Sequence, residues 1–253
     1  MSNVFSCRLP VYLDRDEAYE LLPQAGVQAI ELSPPGDGDY ERCRCLAEKN
    51  GMQIATVATG VQLRNADSVA AFETVMERTA GIGTRKLFVS VQGKEGEADE
   101  GLIANLRQLC DKAAELDLTL CMETHPPYGT NGEVALATIR EVDRPALGYN
   151  FDTANIYYYN EGTDSVTELA KALEHVASVH LKDTDGLPKS LNFPVLGQGV
   201  VDFPEVFRLL GERGFTGPYT LELEGDLMTG KDLAARHQIV VACMDYLRSI
   251  GAA

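Results

Sequence analysis

The residues best suited to chemistry lie between Leu118 and Gly225, where four short apolar runs each carry a polar group near the end. The runs are LTLCMETH (118–125) with Glu123, LGYNFDTAN (147–155) with Asp152, ASVHLKD (177–183) with His180, and YTLELEG (219–225) with Glu222. Such apolar runs are typical of buried strands. Three carboxylates and an imidazole brought together would repel and desolvate one another unless a cation lay between them. The pattern predicts a divalent metal site at one mouth of a parallel barrel.

Strand-like and helix-like segments alternate along the whole sequence. Further predicted strands cover residues 4–9, 27–32, 52–59 and 86–91. Predicted helices cover residues 14–25, 40–50, 66–80, 100–115, 132–142, 165–176, 203–213 and 233–250. About eight strand–helix units, with no linker between them, predict an α/β fold in which residues 1–253 form a single (β/α)8 TIM barrel domain. The second choice is an open doubly wound sheet, which is disfavoured because neither GxGxxG nor GxxxxGK[ST] follows the first strand.

Helix ends support this segmentation. Asp14 is a plausible N-cap with Glu17 three residues later, and Gly26 can close that helix. Asp202 and Glu205 form the same pattern at the start of the helix at 203–213.

Composition limits the classes of binding partner and the cellular compartment. The net charge is −16 and the pI is near 4.6, which argues against a nucleic-acid or anionic-membrane surface. The N-terminal sequence has no basic and apolar signal-peptide pattern, and no run is long enough for a membrane span. The six cysteines lack CxxC spacing, so we expect free, buried thiols in a reducing compartment. A cytoplasmic enzyme is the expectation.

Strand periodicity places the polar groups on shared faces. Because strand side chains alternate with period two, Glu123 shares a face with Cys121 and His125, and Asp152 shares one with Asn150. His180 likewise shares a face with Ser178 and Lys182, and Glu222 with Thr220 and Glu224. If these faces point into the barrel, Glu123, Asp152, His180 and Glu222 meet at its mouth.

Several motifs resemble the sugar phosphate isomerase/epimerase superfamily, whose barrels are xylose isomerase-like. They are METH (122–125), FDTAN (151–155), VHLKD (179–183), LGQGVVDFPEVFRLL (196–210) and GFTGPYTLELEG (214–225). The resemblance implies that Glu123, Asp152, His180 and Glu222 hold a divalent cation, with Mn²⁺ first and Mg²⁺, Co²⁺ or Zn²⁺ as alternatives. It also implies that Glu123 and Glu222 exchange protons with the substrate as base and acid. Dimers or tetramers are common among similar proteins, so a homo-oligomer is expected by resemblance.

One residue departs from the family pattern. Many members have a histidine three residues after the sixth-strand aspartate, whereas this chain has Asn155, which hydrogen-bonds but carries no proton near neutral pH. The departure leaves the reaction type open. The similar endonuclease IV type is disfavoured, because its multi-zinc site uses more histidines than the four of this chain.

Several residues near the predicted metal ligands have two possible roles. His125, Asn155, Lys182 and Glu224 are candidates for substrate binding. His125 is equally suited to capping its loop beside Pro126 and Pro127, and Lys182 to a salt bridge with Glu123 or Glu224. Glu31 suggests a structural role more than a pocket floor. Tyr157, Tyr158 and Tyr159 suit a pocket cap or a subunit contact. The amides of Gly197 and Gly199 suit a turn more than a phosphate site.

Three functions follow from these observations. The first is a divalent-metal-dependent isomerase or epimerase of a small keto-sugar or related polyol, working by proton transfer through a metal-stabilised enediolate. The second is a metal-dependent lyase or dehydratase acting on a ketocyclitol or keto-sugar. Asn155, in place of the histidine, makes this second function a serious alternative. The third is a binding module on a degenerate barrel, which the intact set of four ligands argues against.

Overall fold

Eight parallel strands close into a barrel in the computed structural model, which describes residues 3–93 and 100–253. They are β1 (Val4–Arg8), β2 (Ala29–Leu32), β3 (Gln53–Gln62), β4 (Lys86–Gln92), β5 (Thr119–Glu123), β6 (Leu147–Asp152), β7 (Val176–Leu181) and β8 (Pro218–Leu221). Each strand pairs with the next along the chain, and β1 pairs with β8. The predicted (β/α)8 barrel is confirmed, and the open doubly wound sheet is wrong.

Helices surround the barrel and cover its outer face with their apolar sides. They are α1 (Arg15–Ala25), α2 (Tyr40–Lys49), α3 (Ala66–Gly81), α4 (Glu100–Glu115), α5 (Gly132–Val142), α6 (Asn155–Tyr159), α7 (Ser165–Ala172), α8 (Phe203–Arg213) and α9 (Leu233–Ser249). Short 3₁₀ turns cover Leu9–Val11, Leu173–His175 and Gly225–Leu227. The helix α6 was not predicted, because its five residues are too few to show helical periodicity.

The predicted caps are present. The side chain of Asp14 accepts a hydrogen bond at the start of α1, and Gly26 ends that helix in the left-handed conformation with φ of 90°. Asp202 accepts from the amide of Glu205 at the start of α8. The helix predicted at 165–176 is wrong at its end, since α7 stops at Ala172. Val176 instead begins β7, where it pairs with Tyr149 of β6.

Strand register sets the depth of the interior side chains. Asn150 and Ser178 are paired across β6 and β7, and the Ser178 hydroxyl donates to Oδ1 of Asn150 at 2.6 Å inside the barrel. One layer higher, Asp152 pairs with His180. Pairing continues past β8, because the amide of Glu222 donates to the carbonyl of Leu181 at 3.2 Å. Residues Asp152, His180 and Glu222 therefore reach the same layer.

The cysteines and the apolar character of the helices can also be compared with the sequence-based expectations. All six cysteines are free, as predicted; five are buried, and Cys45 is exposed against expectation. Within residues 3–93 and 100–253, no helix combines the length and apolar character that crossing a membrane requires.

Candidate active site

A cavity of about 500 Å³ opens at the carboxyl ends of the strands. All of the residues predicted to act in catalysis or substrate binding line it: Glu123, His125, Asn155, Lys182, Glu222 and Glu224. Phe88, Leu191 and Phe193 add apolar surface, and Thr59, Ser90 and Gln92 add neutral polar groups. A cavity of this size suits a small molecule.

Three of the four predicted metal ligands converge beneath this cavity. Side-chain donor atoms of Asp152, His180 and Glu222 lie within 4.8 Å of one another, and all three residues are buried. Glu123 lines the cavity beside them, and its donor atoms are not among those that lie within 4.8 Å of one another. Two carboxylates and one imidazole suit Mn²⁺, Zn²⁺ or a similar divalent ion.

One oxygen in this group fits a metal ligand especially well. Asp152 is fully buried, and its Oδ1 accepts from the amides of Ala154 and Asn155, both at 2.9 Å. Oδ2 accepts no hydrogen bond of good geometry from residues 3–93 or 100–253, and it lies 3.1 Å from Nζ of Lys182. A buried carboxylate oxygen is costly unless a positive charge lies beside it, so Oδ2 suits a cation, a place that the Lys182 ammonium takes here.

Lys182 places a positive charge beside the carboxylates of this group. Its ammonium lies 3.1 Å from Asp152, 2.9 Å from Glu222 and 2.9 Å from Glu224. Burial lowers the pKa of Lys182, but these carboxylates outweigh it and raise the pKa well above its ordinary value. The salt bridge considered for Lys182 therefore forms with Glu224 rather than Glu123, and two further carboxylates join it.

Two charged residues of the first strands reach the same group. The carboxylate of Glu31, 1% exposed, lies 3.1 Å from Nε2 of His180 and accepts from the hydroxyl of Thr56 at 2.8 Å. Arg8 contacts Glu222, and its Nε lies 3.3 Å from Glu31. Glu31 was weighed as a structural residue, and Arg8 was missed. A polar residue at the end of the apolar run VFSCR was the available signal for Arg8.

His180 and Glu222 form a charged pair in the barrel. Nδ1 of His180 lies 3.1 Å from Oε2 of Glu222. Burial lowers the pKa of His180, but the charges of Glu31 and Glu222 raise it to about 10. Burial raises the pKa of Glu222, yet the charges of Lys182, His180 and Arg8 hold it well below its ordinary value.

Glu123 lies in a contrasting environment. Burial and the charge of Glu222 raise its pKa to about 7, while the Ser90 hydroxyl hydrogen bond acts in the opposite direction. Nδ2 of Asn155 donates to the Thr124 carbonyl at 3.2 Å and lies 3.5 Å from Oε1 of Glu123. The pKa values of Glu123 and Glu222 therefore shift in opposite directions, which is the separation that acid–base exchange needs.

His125 hydrogen-bonds within its own loop and also lines the cavity. Its Nδ1 lies 2.7 Å from the carbonyl oxygen of Pro126, which can only accept, so Nδ1 carries the hydrogen. In the neutral ring, Nε2 is then an acceptor. Tyr159 of α6 packs against the ring edge-to-face at 5.2 Å, and Tyr158 and Tyr159 both line the cavity.

The glycine amides considered for a phosphate are already engaged. The amides of Gly197 and Gly199 donate to Oδ2 of Asp183 at 2.9 and 2.8 Å. A phosphate site at these amides is therefore wrong, because an internal carboxylate takes both donors.

Curated relatives match part of this chain. It is 30% identical over 136 residues to a ketose 3-epimerase of Arthrobacter globiformis, an alignment that covers 52% of this chain and 44% of that protein. It is 30% identical over 178 residues to an inosose dehydratase of Serratia proteamaculans (strain 568), which covers 61% and 55%. The chain thus spans about half the length of the curated relatives it matches.

The likeness of fold extends over the whole chain. A solved xylose isomerase domain protein from Planctomyces limnophilus superposes with a TM-score of 0.81 at 19% identity, covering 99% of this chain and 98% of that one. The sequence pattern of the family described as xylose isomerase-like TIM barrel matches residues 19–250. With the closed barrel and this match across most of the sequence, the chain belongs to the xylose isomerase-like TIM barrel family.

Proposed function

We propose that this protein is a divalent-metal-dependent epimerase of a small keto-sugar, which moves a proton on and off the carbon beside the carbonyl. The observation that carries the proposal is the buried Asp152, His180 and Glu222 group beneath the cavity, beside a second glutamate with a pKa of about 7. The similarity to a ketose 3-epimerase supports the substrate class.

Asp152, His180 and Glu222 would hold the ion, and Glu123 is the fourth ligand by resemblance. Their donor set suits Mn²⁺ first, with Mg²⁺, Co²⁺ or Zn²⁺ as alternatives. When bound, the metal polarises the substrate carbonyl and so acidifies the neighbouring C–H.

Glu123 and Glu222 carry the proton. The charges of Lys182, His180 and Arg8 hold Glu222 as a carboxylate, so it is the member of the pair that is free to accept the α-proton. Glu123, with a pKa of about 7, is partly protonated and delivers a proton to the opposite face of the carbon. The roles reverse in the other direction. His125, Asn155, Lys182 and Glu224 line the cavity and would orient the hydroxyls of the sugar.

An isotope experiment tests the proton step. Protein loaded with Mn²⁺ is incubated with a panel of keto-sugars in D₂O, and the products are examined by NMR. We expect an epimer with deuterium at the α-carbon. Epimerisation without deuterium would contradict the roles of Glu123 and Glu222, and lack of turnover across the panel would contradict the proposal.

A single substitution separates the metal site from the fold. Glu222→Gln removes one proposed ligand and the base, so we expect turnover to fall below detection while the circular dichroism spectrum is retained. Glu212→Gln, on the exposed side of α8, is the matched control and should retain activity. Full activity after thorough chelation would exclude a metal role.

A second function, dehydration of a ketocyclitol, is favoured by one residue. Asn155 occupies the place of the histidine that many family members carry, and the inosose dehydratase aligns over 61% of the chain. The same proton removal followed by loss of a β-hydroxyl yields an unsaturated product. Mass spectrometry separates the two reactions, because dehydration loses one water and epimerisation conserves mass.

A further inference from the structure

The loop between β7 and α8, residues 182–202, is tied together by a single buried carboxylate. Asp183 is 1% exposed. Its Oδ1 accepts from the amides of Thr184 at 2.9 Å and Val201 at 3.2 Å. Its Oδ2 accepts from those of Gly197 and Gly199 at 2.9 and 2.8 Å. The carboxylate therefore joins the end of the strand that carries His180 to the far end of the loop.

The close approach at this junction requires a glycine. A Cβ on Gly199 would lie 2.3 Å from Oδ1 of Asp183 and 2.2 Å from the Thr184 carbonyl oxygen, closer than real contacts allow. The amide of Val200 also donates to that carbonyl at 2.9 Å. The chain thus returns directly onto the residue that follows Lys182.

The segment enclosed by this junction forms one wall of the cavity. Leu191 and Phe193 line the cavity, and Phe193 is 4% exposed. Nζ of Lys182 lies 4.9 Å from the centre of the Phe193 ring, a cation–π distance. The ring keeps water from one side of the ammonium and so strengthens the pairing of Lys182 with its carboxylates.

We propose that Asp183 is a positioning residue, which holds the β7–α8 loop over the cavity so that Phe193 covers Lys182 and contacts the carbon face of the substrate. Phe193 is then a determinant of specificity. Four amide donors stabilise the buried negative charge of Asp183 without a cation. The kinetic part of this proposal rests on the proposed function, whereas the positioning part does not.

The chain contains no tryptophan, so the fluorescence of a single introduced tryptophan reports on the surroundings of that residue alone. Phe193→Trp places one indole in the cavity wall. We expect blue-shifted emission and weak quenching by acrylamide in this variant. Adding Asp183→Asn should shift the emission to the red and raise the quenching constant at least threefold, because the asparagine amide nitrogen opposes an N–H donor. Unchanged emission and quenching would overturn the proposal.

Asp185→Asn is the matched control in the same loop. Among the residues that the structure describes, the Asp185 side chain accepts from loop neighbours, namely the Leu187 amide, the Ser190 hydroxyl and the Asn192 side chain. In the Phe193→Trp background, Asp185→Asn should leave the emission wavelength unchanged and the acrylamide quenching constant within twofold. A red shift as large as that of Asp183→Asn would show that any carboxylate in the loop has this effect, and would overturn the specific role of Asp183.

A measurement on the unsubstituted protein covers the case in which Asp183→Asn does not fold. Hydrogen exchange should show the amides of Gly197 and Gly199 protected at least 100-fold relative to an unstructured peptide. Exchange at the unstructured rate would overturn the proposal.

Kinetics test the specificity role. With a keto-sugar that the wild type converts, Asp183→Asn and Phe193→Ala should raise KM at least tenfold and lower kcat by a smaller factor. A fall in kcat with KM unchanged would overturn the role in substrate contact. If the wild type converts no keto-sugar, the proposed function fails, and fluorescence and hydrogen exchange still decide the positioning role.

Discussion

Nε2 of His180 lies 3.1 Å from Oε2 of Glu31, across the barrel from the first strands to the seventh. The opposite ring nitrogen, Nδ1, faces Glu222 at 3.1 Å. In metal sites the free nitrogen of a ligating histidine is commonly held by a carboxylate, which fixes the orientation of the ring and makes it a better ligand. Glu31 is placed to do this for His180.

Glu31→Gln should therefore weaken metal binding without removing a ligand. We expect the affinity for Mn²⁺, measured by isothermal titration calorimetry, to fall by roughly 10- to 100-fold, the usual cost of losing such a partner. Glu168→Gln, at a buried carboxylate of α7 that accepts from the Gly132 amide of α5, is the control and should leave the affinity unchanged. Equal affinities for wild type and Glu31→Gln would show that Glu31 does not orient His180.

Lys182→Met should have the opposite effect on metal affinity. The ammonium contacts Asp152 and Glu222, two of the proposed ligands, and its charge repels a divalent ion. Two unit charges 4 Å apart interact by about 4 kcal/mol at an effective dielectric constant of 20, so a gain of roughly tenfold in Mn²⁺ affinity is a conservative expectation. Calorimetry under the same conditions measures it, and a weaker affinity in Lys182→Met would contradict the competition.

Gly132 and Gly211 should respond to alanine with opposite signs. A Cβ on Gly132, at the start of α5, would lie 1.9 Å from the carbonyl oxygen of Glu168, whereas one on Gly211 in α8 meets nothing within 4 Å. We expect Gly132→Ala to lower the free energy of unfolding by about 2–3 kcal/mol. Gly211→Ala should raise it by about 0.5–1 kcal/mol, because alanine favours the helix. Urea unfolding measures both, and a neutral Gly132→Ala would mean that α5 and α7 separate easily.

Glu168 should make stability depend on pH in the acidic range. Burial raises its pKa, but hydrogen bonds from Lys171, Thr163 and the Gly132 amide lower it more, so its pKa lies below the ordinary value. A group with a lowered folded pKa stabilises the fold fully above its unfolded pKa of about 4.3, and this is lost as pH falls through the folded pKa.

The measurement compares wild type and Glu168→Gln by urea unfolding between pH 3 and pH 7. We expect the wild type to be more stable at neutral pH, with a difference that is constant down to about pH 5 and shrinks below about pH 4.3. A stability difference between wild type and Glu168→Gln that grows as the pH falls would contradict a lowered pKa of Glu168.

The sequence predicted those parts of the site that depend on local pattern. Asp152, His180 and Glu222 follow from apolar runs that end in polar groups and from strand periodicity, and their convergence agrees with that reasoning. Arg8 did not emerge, and Glu31 was expected to be structural rather than part of the site, because their partners lie far away in sequence; 149 residues separate Glu31 from His180. Strand periodicity places Glu123 on the shared face but does not fix distances between donor atoms, so it did not predict that Glu123 lies outside the three-residue group.

The pairing of β1 with β8 places the candidate site across the point where the two ends of the sheet meet. Arg8, the last residue of β1, contacts Glu222, which directly follows β8. A folding intermediate with strands β2 to β7 assembled would hold Asp152 and His180 but would leave Glu222 without its neighbour from the first strand. Ions that need all three ligands would favour the completed barrel over such intermediates, so metal uptake during refolding should coincide with the final step rather than precede it.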